Sequence, residues 1–256
     1  MEARTSRFPD GELYLQAGAL DDITVVVGSL LSDESLIEIL LLIDACQRSE
    51  VRLVVPYLGY ARQDREFRPG EPVSARAIAR ALSTGVSRVV TVNVHKETVL
   101  SHFTVPATQV TLEAEIGDFI ANLGLEDPLI LAPDAGAAPF AAAVAVRGGW
   151  ETDHLEKTRI SGREVRMEPV GGDPWTGDVV LVDDIISTGG TIATAARMLA
   201  ARGARGVHAV CVHGLFTGNA RFLLGSAGIR ELAASDTIES ETSRYTAAAA
   251  IARALS

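Results

Sequence analysis

The segment Val179–Thr191 reads VVLVDDIISTGGT and is the most informative stretch of the chain. A strand-like apolar run leads into two carboxylates, Asp183 and Asp184, and small residues then lead into a helix-like segment. Parallel sheets bind ligands at the carboxyl ends of their strands, where these two acids would lie. Backbone amides and hydroxyls can surround a phosphate at a helix N-terminus, and the residues suited to this are Ser187, Thr188, Gly189, Gly190 and Thr191. The segment therefore predicts a site for a sugar phosphate.

The alternative interpretation of the same segment is a plain capped turn between a strand and a helix, with two solvated aspartates. A cap needs one side-chain acceptor for the first amides of the helix. Two adjacent acids followed by five small donors exceed that need, so a ligand site is the favoured interpretation.

Outward from this segment, apolar runs of strand length alternate with amphipathic runs of helix length, which predicts βαβ units and parallel sheets. The first series predicts strands and helices in the order Asp22–Ser29, Ser32–Ser49, Arg52–Tyr57, Ser74–Ser83 and Arg88–His95. The second predicts them in the order Leu129–Ala132, Ala137–Val146, Asp178–Val182, Gly190–Arg202 and Val207–His213. Each series could fill one small α/β domain, with a boundary near Pro106–Thr111.

Three further segments stand apart from the two series. Tyr60–Pro72 is charged and ends in Pro69, Gly70 and Pro72, which predicts a long functional loop. Thr158–Gly177 mixes charges, glycines and prolines and predicts a flexible flap or a β-hairpin. Tyr245–Leu255 is rich in alanine and predicts a helix.

The composition limits the classes of partner. The 256 residues carry 23 Lys+Arg against 33 Asp+Glu, a net charge of -10, which argues against binding to nucleic acid or acidic membranes. No signal peptide and no apolar run of roughly 18 residues is visible, so we expect a cytoplasmic protein outside the membrane. The only lysines are Lys96 and Lys157. Cys46 and Cys211 lie in apolar segments and are expected to be small core residues.

The segment Asp183–Thr191 resembles the phosphoribosyl pyrophosphate (PRPP) loop shared by type I phosphoribosyltransferases and ribose-phosphate pyrophosphokinases. Six other segments resemble motifs of the pyrophosphokinase family and follow its order: RFPDGE at 7–12, YARQDR at 60–65, VHK at 94–96, APDAG at 132–136, EKTR at 156–159 and VHGLF at 212–216.

The resemblance implies an α/β protein of two tandem type I phosphoribosyltransferase-like domains, each with a mainly parallel sheet flanked by helices. We expect an N-terminal domain over residues 1–108 and a domain with the PRPP loop over residues 109–242. Residues 243–256 would form a helix packing on the N-terminal domain. The family's first strand and helix, which usually precede the RFPDGE motif, are expected to be missing.

The family's reaction transfers the β,γ-pyrophosphoryl group of ATP to the C1 hydroxyl of ribose 5-phosphate, giving PRPP and AMP. The resemblance implies Mg2+ as cofactor, ATP and ribose 5-phosphate as substrates, and a homo-oligomer with sites at subunit interfaces.

The resemblance also implies a role for each matching residue. Lys157 and Arg159 would be catalytic, in a segment that closes over the transferring phosphates. The implied ATP contacts are Phe8, Asp10, Glu12, Arg62, Gln63 and His95. The implied metal-associated residues are His95 and Asp134. Ribose 5-phosphate would be bound by Asp183, Asp184, Ser187, Thr188, Gly189, Gly190 and Thr191.

Two other functions stay open at this point. A PRPP-consuming phosphoribosyltransferase would share the PRPP loop, although the RFPDGE and YARQDR motifs oppose it. A non-catalytic regulatory homologue of the pyrophosphokinases is suggested by the expected loss of the first strand and helix, and by Asn93 where the family commonly has Asp. The presence of Lys157, Arg159 and both PRPP-loop acids opposes that interpretation.

Overall fold

The computed structural model describes residues 3–159, 165–169 and 175–256, with only the backbone described for 157–159 and 165–169. The chain divides into two compact units. The first comprises Met1–Thr111 with Ala248–Ser256, and the second comprises Leu112–Ala247.

The first unit contains a parallel sheet and a separate antiparallel hairpin. Its elements, in chain order, are β1 (Ala3–Arg7), β2 (Leu13–Ala17), β3 (Ile23–Val27), α1 (Asp33–Ala45), β4 (Glu50–Val55), α2 (Ser74–Leu82), β5 (Arg88–Val92) and β6 (Ala107–Val110). The strand order is β3-β4-β5-β6, with every neighbouring pair parallel, while β1 and β2 pair only with each other. The predicted alternation of strands and helices is confirmed here.

Burial of apolar residues holds the first unit together. Leu53, Val54 and Val55 of β4 are fully buried between the strands on either side. Helix α1 begins with a reciprocal cap, because the Ser35 amide donates to Ser32 Oγ and the Ser32 amide donates to Ser35 Oγ. The sheet ends at β3 as an edge strand, whose Ile23, Val25 and Val27 side chains are exposed.

The second unit is built on one seven-stranded sheet. Its elements are α3 (Glu113–Ala121), β7 (Leu129–Ala132), α4 (Ala138–Ala145), β8 (Thr152–Arg159), β9 (Val165–Pro169), β10 (Asp178–Ile186), α5 (Gly190–Ala201), β11 (Gly206–Gly214), α6 (Ala220–Ser226), β12 (Ile229–Ser235) and β13 (Ser243–Tyr245). The strand order is β13-β12-β11-β10-β7-β8-β9. All neighbours are parallel except β8 and β9.

The last helix, α7 (Ala248–Leu255), returns to the first unit and packs against β5 and β6. The Arg52 Nη1 group donates to the Leu255 carbonyl at 2.8 Å, and the Arg88 guanidinium donates to the Ala254 carbonyl. These two arginines satisfy carbonyl groups that the end of a helix leaves without partners.

Several predicted boundaries are wrong: the first helix ends at Ala45 rather than Ser49, and β5 ends at Val92 rather than His95. Strand β10 was expected to stop at Val182 but continues to Ile186, because the longer β11 runs beside it and pairs Ile185 with His213. The last helix was expected from Tyr245 but begins at Ala248. Tyr245 instead belongs to β13, and its hydroxyl donates to the Cys211 carbonyl.

Of the two forms predicted for Thr158–Gly177, the hairpin is present in the described part. Strands β8 and β9 pair antiparallel from Leu155 with Pro169 to Arg159 with Val165. Residues 160–164 and 170–174 lie outside the described residues. Cys46 and Cys211 are buried and unlinked, as predicted. Within the described residues, no helix combines the length and the apolar character that crossing a membrane would require.

A buried histidine lies at the amino end of the second sheet. His208 of β11 is 7% exposed, and neither ring nitrogen has a hydrogen-bond partner among the described residues. Its Nε2 atom is 3.8 Å from Asp178 Oδ1, but Asp178 is bound by the Arg205 guanidinium at 2.7 Å. Burial lowers the pKa of His208. The folded protein therefore favours a neutral imidazole with unsatisfied polar atoms.

We expect His208→Leu to stabilise the protein by about 1 kcal/mol at neutral pH, because the variant buries no unpaired ring nitrogen. The gain should increase below about pH 6.5, where the unfolded wild-type chain takes up a proton that the folded one resists. Thermal unfolding of both proteins across this pH range measures the difference. A lower melting temperature for the variant at every pH would contradict this account of His208.

Candidate active site

Three carboxylates meet where the order of the second sheet reverses. After β7 the chain adds β8 and β9 on one side of that strand, and it then crosses to the other side to form β10. Such a reversal opens a crevice at the carboxyl ends of the two central strands. Asp134 follows β7, and Asp183 and Asp184 lie near the end of β10, which pairs with β7 through Leu131 and Leu181. The topology therefore brings these acids to the same edge.

The carboxylates are close enough to change each other's proton affinity. Asp183 and Asp184 are half-buried, and the Asp184 amide donates to Asp183 Oδ1 at 2.9 Å. Burial, followed by the negative charge of Asp184 and more weakly that of Asp134, raises the pKa of Asp183 far above its ordinary value. A bound cation or bound hydroxyl donors would lower that pKa again, so the edge is suited to such ligands.

The turn after β10 is shaped for an anion. Gly189 has a left-handed φ of +74°, and α5 begins at the next residue with no side chain capping its first amides. A Cβ atom on Gly189 would lie 3.1 Å from the Leu224 side chain, so the position is close-packed as well as left-handed. The first amides of α5 therefore face outward at the positive end of the helix dipole, where a phosphate binds favourably.

A neighbouring loop holds this turn in place. The Leu215 amide donates to the Ile186 carbonyl at 3.0 Å, and the Thr217 amide donates to the Ser187 carbonyl at 3.0 Å. The Ser187 and Thr217 hydroxyls are 3.5 Å apart. Thr188 and Thr191 are exposed at the turn. The structure thus brings together Asp134, both acids of β10 and the whole predicted phosphate loop.

His213 lies on β11, next to the end of β10, and stabilises this part of the sheet. It is 2% exposed, and its Nδ1 atom is 2.9 Å from Thr237 Oγ1. Ser235 Oγ lies 2.8 Å from the same hydroxyl and donates to the Val212 carbonyl. This buried network fixes β11 beside the end of β10. His213 lies in the VHGLF motif, and its burial indicates a packing role.

In the first unit, the predicted ATP residues Arg62 and Gln63 lie in the loop after β4. Arg62 is exposed. The Gln63 side-chain carbonyl instead accepts from Ser74 Oγ at 2.6 Å, and its backbone carbonyl accepts from the Ala75 amide. Gln63 therefore ties the loop to the start of α2, which leaves Arg62 as the residue of this pair that is directed outward.

His95 is exposed beyond the end of β5. Because β4 and β5 are parallel neighbours, its loop and the loop carrying Arg62 leave the same edge of the sheet. The chain turns sharply just before His95, since Asn93 is buried with a φ of +36°. The Val94 amide then donates to the Gln109 side chain at 2.9 Å. These contacts fix where His95 emerges.

The predicted adenine contacts lie on the turn of the β1–β2 hairpin. The Phe8 amide donates to the Glu12 carbonyl, and the Glu12 amide donates to Asp10 Oδ1 at 3.2 Å. Phe8 is 49% exposed and packs edge-on against Tyr14, with ring centroids 5.6 Å apart. The turn thus presents one aromatic face and two carboxylates to solvent.

Lys157 and Arg159 belong to β8, of which the backbone is described at these positions. β8 pairs with β7 up to Ala132 and His154, and the strand then continues past the end of β7 as the first arm of the hairpin. Both residues are therefore carried by a projection from the edge that holds Asp134. Their side chains lie outside the described residues.

The predicted metal residues His95 and Asp134 belong to different units. Across residues 3–159, 165–169 and 175–256, no three His, Cys, Asp or Glu side chains form a ready-made metal site. Sequence reasoning also assigned no role to Asp64, which the structure joins to Lys96 at 2.9 Å. The only signal for it was its place inside the YARQDR motif.

Comparison with known proteins gives a consistent result along the chain. Residues 1–85 match the N-terminal domain of ribose phosphate pyrophosphokinase, and residues 108–223 match the phosphoribosyl transferase domain. The ribose-phosphate pyrophosphokinase of Methanosarcina acetivorans is 45% identical over 98% of this chain and 89% of its own length. That of Halobacterium salinarum is 44% identical over 97% of this chain and 89% of its own length.

A solved structure agrees with these relatives. The crystal structure of phosphoribosylpyrophosphate synthetase from Mycobacterium smegmatis superposes with a TM-score of 0.84 at 28% identity, covering 99% of this chain and 89% of the other. The predicted fold class, α/β with two phosphoribosyltransferase-like domains, is confirmed. By sequence and by fold, the chain belongs to the ribose-phosphate pyrophosphokinase family.

Proposed function

We infer that the chain is an active enzyme that transfers the β,γ-pyrophosphoryl group of ATP to the C1 hydroxyl of ribose 5-phosphate. The observation that carries this is the pair Asp183 and Asp184 beside the uncapped start of α5, in a chain that also matches the N-terminal pyrophosphokinase domain. A costly pair of half-buried acids is typical of a catalytic site, which opposes a purely regulatory role.

Ribose 5-phosphate is bound by groups of opposite character. The first amides of α5 and the Thr188 and Thr191 hydroxyls donate to the 5-phosphate, while Asp183 and Asp184 accept from the ribose hydroxyls. Because the sugar hydroxyls donate hydrogen bonds to these carboxylates, binding relieves part of the repulsion that raises the pKa of Asp183.

Magnesium fits the same edge. Mg2+ is usually held by one or two carboxylates together with substrate phosphates and water, so the lack of a ready-made cluster in the described residues is compatible with it. Asp134 beside Asp183 and Asp184 supplies oxygen ligands of the preferred type, and His95 would assist at the nucleotide. When bound, the metal supplies positive charge to the transferring phosphates.

Arg62, Gln63 and His95 bind ATP in this proposal, and the hairpin turn with Phe8, Asp10 and Glu12 contacts adenine. The turn is far more exposed than a site for a bound base would be. We therefore propose that it serves a neighbouring subunit of a homo-oligomer, where Phe8 can stack on the base and the acids can accept from its amine.

The reaction is a displacement at the β-phosphorus of ATP. A bond forms between the C1 oxygen of ribose 5-phosphate and that phosphorus, and the bond from the phosphorus to the α,β-bridging oxygen breaks. AMP leaves with the bridging oxygen, and the proton of the C1 hydroxyl passes to solvent. Catalysis then depends on alignment and on cations, of which Arg62, Lys157 and Arg159 are the protein's own.

The first test incubates the purified protein with ATP, Mg2+ and ribose 5-phosphate and follows AMP and PRPP. We expect equal amounts of the two products, no AMP without the sugar, and almost none from Asp184→Asn. Folded protein that forms no sugar-dependent AMP would contradict the proposal. Release of pyrophosphate from PRPP only when a nucleobase is added would instead establish a phosphoribosyltransferase.

Replacing Lys157 should affect turnover far more than substrate binding. We expect Lys157→Ala to lower kcat by at least about 100-fold with a change in KM for ribose 5-phosphate of about threefold or less, because its charge acts mainly in the transition state. Arg48→Ala, which removes an exposed charge from the turn between α1 and β4, is the matched control and should leave both constants unchanged. An unaltered kcat in Lys157→Ala would refute the assigned role.

We expect Asp183 to lower the stability of the folded protein, although activity requires it. A carboxyl whose pKa is raised by folding makes the folded state less stable as pH rises from its unfolded pKa through the raised value. We expect Asp183→Asn to abolish activity yet to raise the melting temperature, more at about pH 8.5 than at about pH 5. The exposed Asp44→Asn on α1 serves as control. A melting temperature of Asp183→Asn below that of the wild type at about pH 8.5 would show that ionised Asp183 does not destabilise the folded protein.

A further inference from the structure

The loop that carries Arg62 is tied down on both sides of that residue. Before it, the Tyr60 hydroxyl donates to the Asp33 carboxylate at the start of α1, and Tyr60 itself has a left-handed φ of +63°. After it, Gln63 accepts a hydrogen bond from Ser74 at the start of α2. Arg62 lies between these anchors and is exposed.

A third anchor is an ion pair across 32 residues of sequence. The Lys96 Nζ atom donates to Asp64 Oδ2 at 2.9 Å, which joins the Arg62 loop to the segment directly after His95. The Asp64 side chain is only 11% exposed, whereas that of Lys96 is 44% exposed. The second carboxylate oxygen of Asp64 is buried and has no hydrogen-bond partner among the described residues.

This arrangement makes Asp64 depend on Lys96. A nearly buried carboxylate with one unsatisfied oxygen is stabilised chiefly by its single ion pair, and Lys96 lowers the pKa of Asp64 accordingly. Loss of the ammonium would leave a nearly buried charge with only the weaker support of the Asp64 amide and of Arg65, which is more costly than loss of an ordinary surface pair. The loop would then move to expose Asp64 to water, and Arg62, two residues away, would move with it.

Arg62 itself contributes nothing to holding the loop. Within the described part of the chain it makes no hydrogen bond or ion pair, so its position is set by its neighbours. Lys96, in turn, has its charge already neutralised by Asp64, which weakens any direct pull on a distant phosphate. Lys96 therefore holds the loop in position, and Arg62 is the cation that the loop presents.

We propose that Lys96 is a positioning residue, which acts through Asp64 to hold Arg62 for ATP beside His95. The inference rests on the proposed function, since it assigns Arg62 to ATP. Lys96 acts through the positive charge that it places against one carboxylate oxygen of Asp64, and it makes no contact with the substrate.

The test is a double-mutant cycle read through KM for ATP. We expect Lys96→Met to raise KM for ATP about tenfold while KM for ribose 5-phosphate stays within about twofold, and Lys96→Arg to retain most of the wild-type affinity. Adding Asp64→Asn to Lys96→Met should bring KM for ATP back to about threefold above wild type, because the double variant buries no unpaired charge. Glu97→Gln, which alters the exposed charge next to Lys96, is the matched control.

Hydrogen–deuterium exchange of the amides at residues 60–65 gives a second readout that does not require activity. Exchange should rise in Lys96→Met and fall again in the double variant. If the wild type forms no AMP but exchange follows this pattern, the proposed function fails and the hold of Lys96 on the loop is upheld. Two results would overturn the inference: unchanged exchange and KM in Lys96→Met, or a loss of ATP affinity that Asp64→Asn does not relieve.

Discussion

Burial and the neighbouring charge of Asp184 raise the pKa of Asp183 at the carboxyl end of β10, so ionising both carboxyls of the pair is costly. The neighbouring strand and its buried hydrogen bonds hold the two carboxyls in place. β11 extends beside β10 as far as Gly214 and pairs Ile185 with His213, so the acids stand on a rigid strand. The buried hydrogen bonds of His213, Thr237 and Ser235 then fix that neighbour. Ligands that bring hydrogen-bond donors or positive charge lower this cost, which makes their binding more favourable.

A protein of net charge -10 that binds two polyanions must place its cations individually. The two units meet this need differently. In the second, backbone amides at the start of α5 provide positive potential without any basic side chain. In the first, Arg62 is held outward by anchors on α1, α2 and the segment after β5. The only two lysines fall at Lys96, beside His95, and at Lys157, on the projecting hairpin.

Sequence alone predicted the alternation of strands and helices and the phosphate-binding loop after β10, because these follow from local residue types and their period. It misplaced the end of β10, since that end depends on the length of β11 and on pairing across the sheet. The ion pair of Asp64 and Lys96 also escaped it, because the two residues are far apart in the chain and meet only through the parallel register of β4 and β5. The sequence places His208 in a predicted strand, but the burial of its ring depends on how the sheet is packed.

We expect Asp183 to hold a proton in the free protein at neutral pH and to lose it when ligands bind, because burial and the charge of Asp184 raise its pKa to about 8. Calorimetry of ribose 5-phosphate binding with Mg2+ at neutral pH, repeated in buffers of different ionisation enthalpy, counts the protons released. Comparison with Asp183→Asn subtracts those that come from the sugar phosphate itself. The account predicts more protons released by the wild type than by the variant. Equal numbers in the two proteins, or net proton uptake in the wild type, would contradict it.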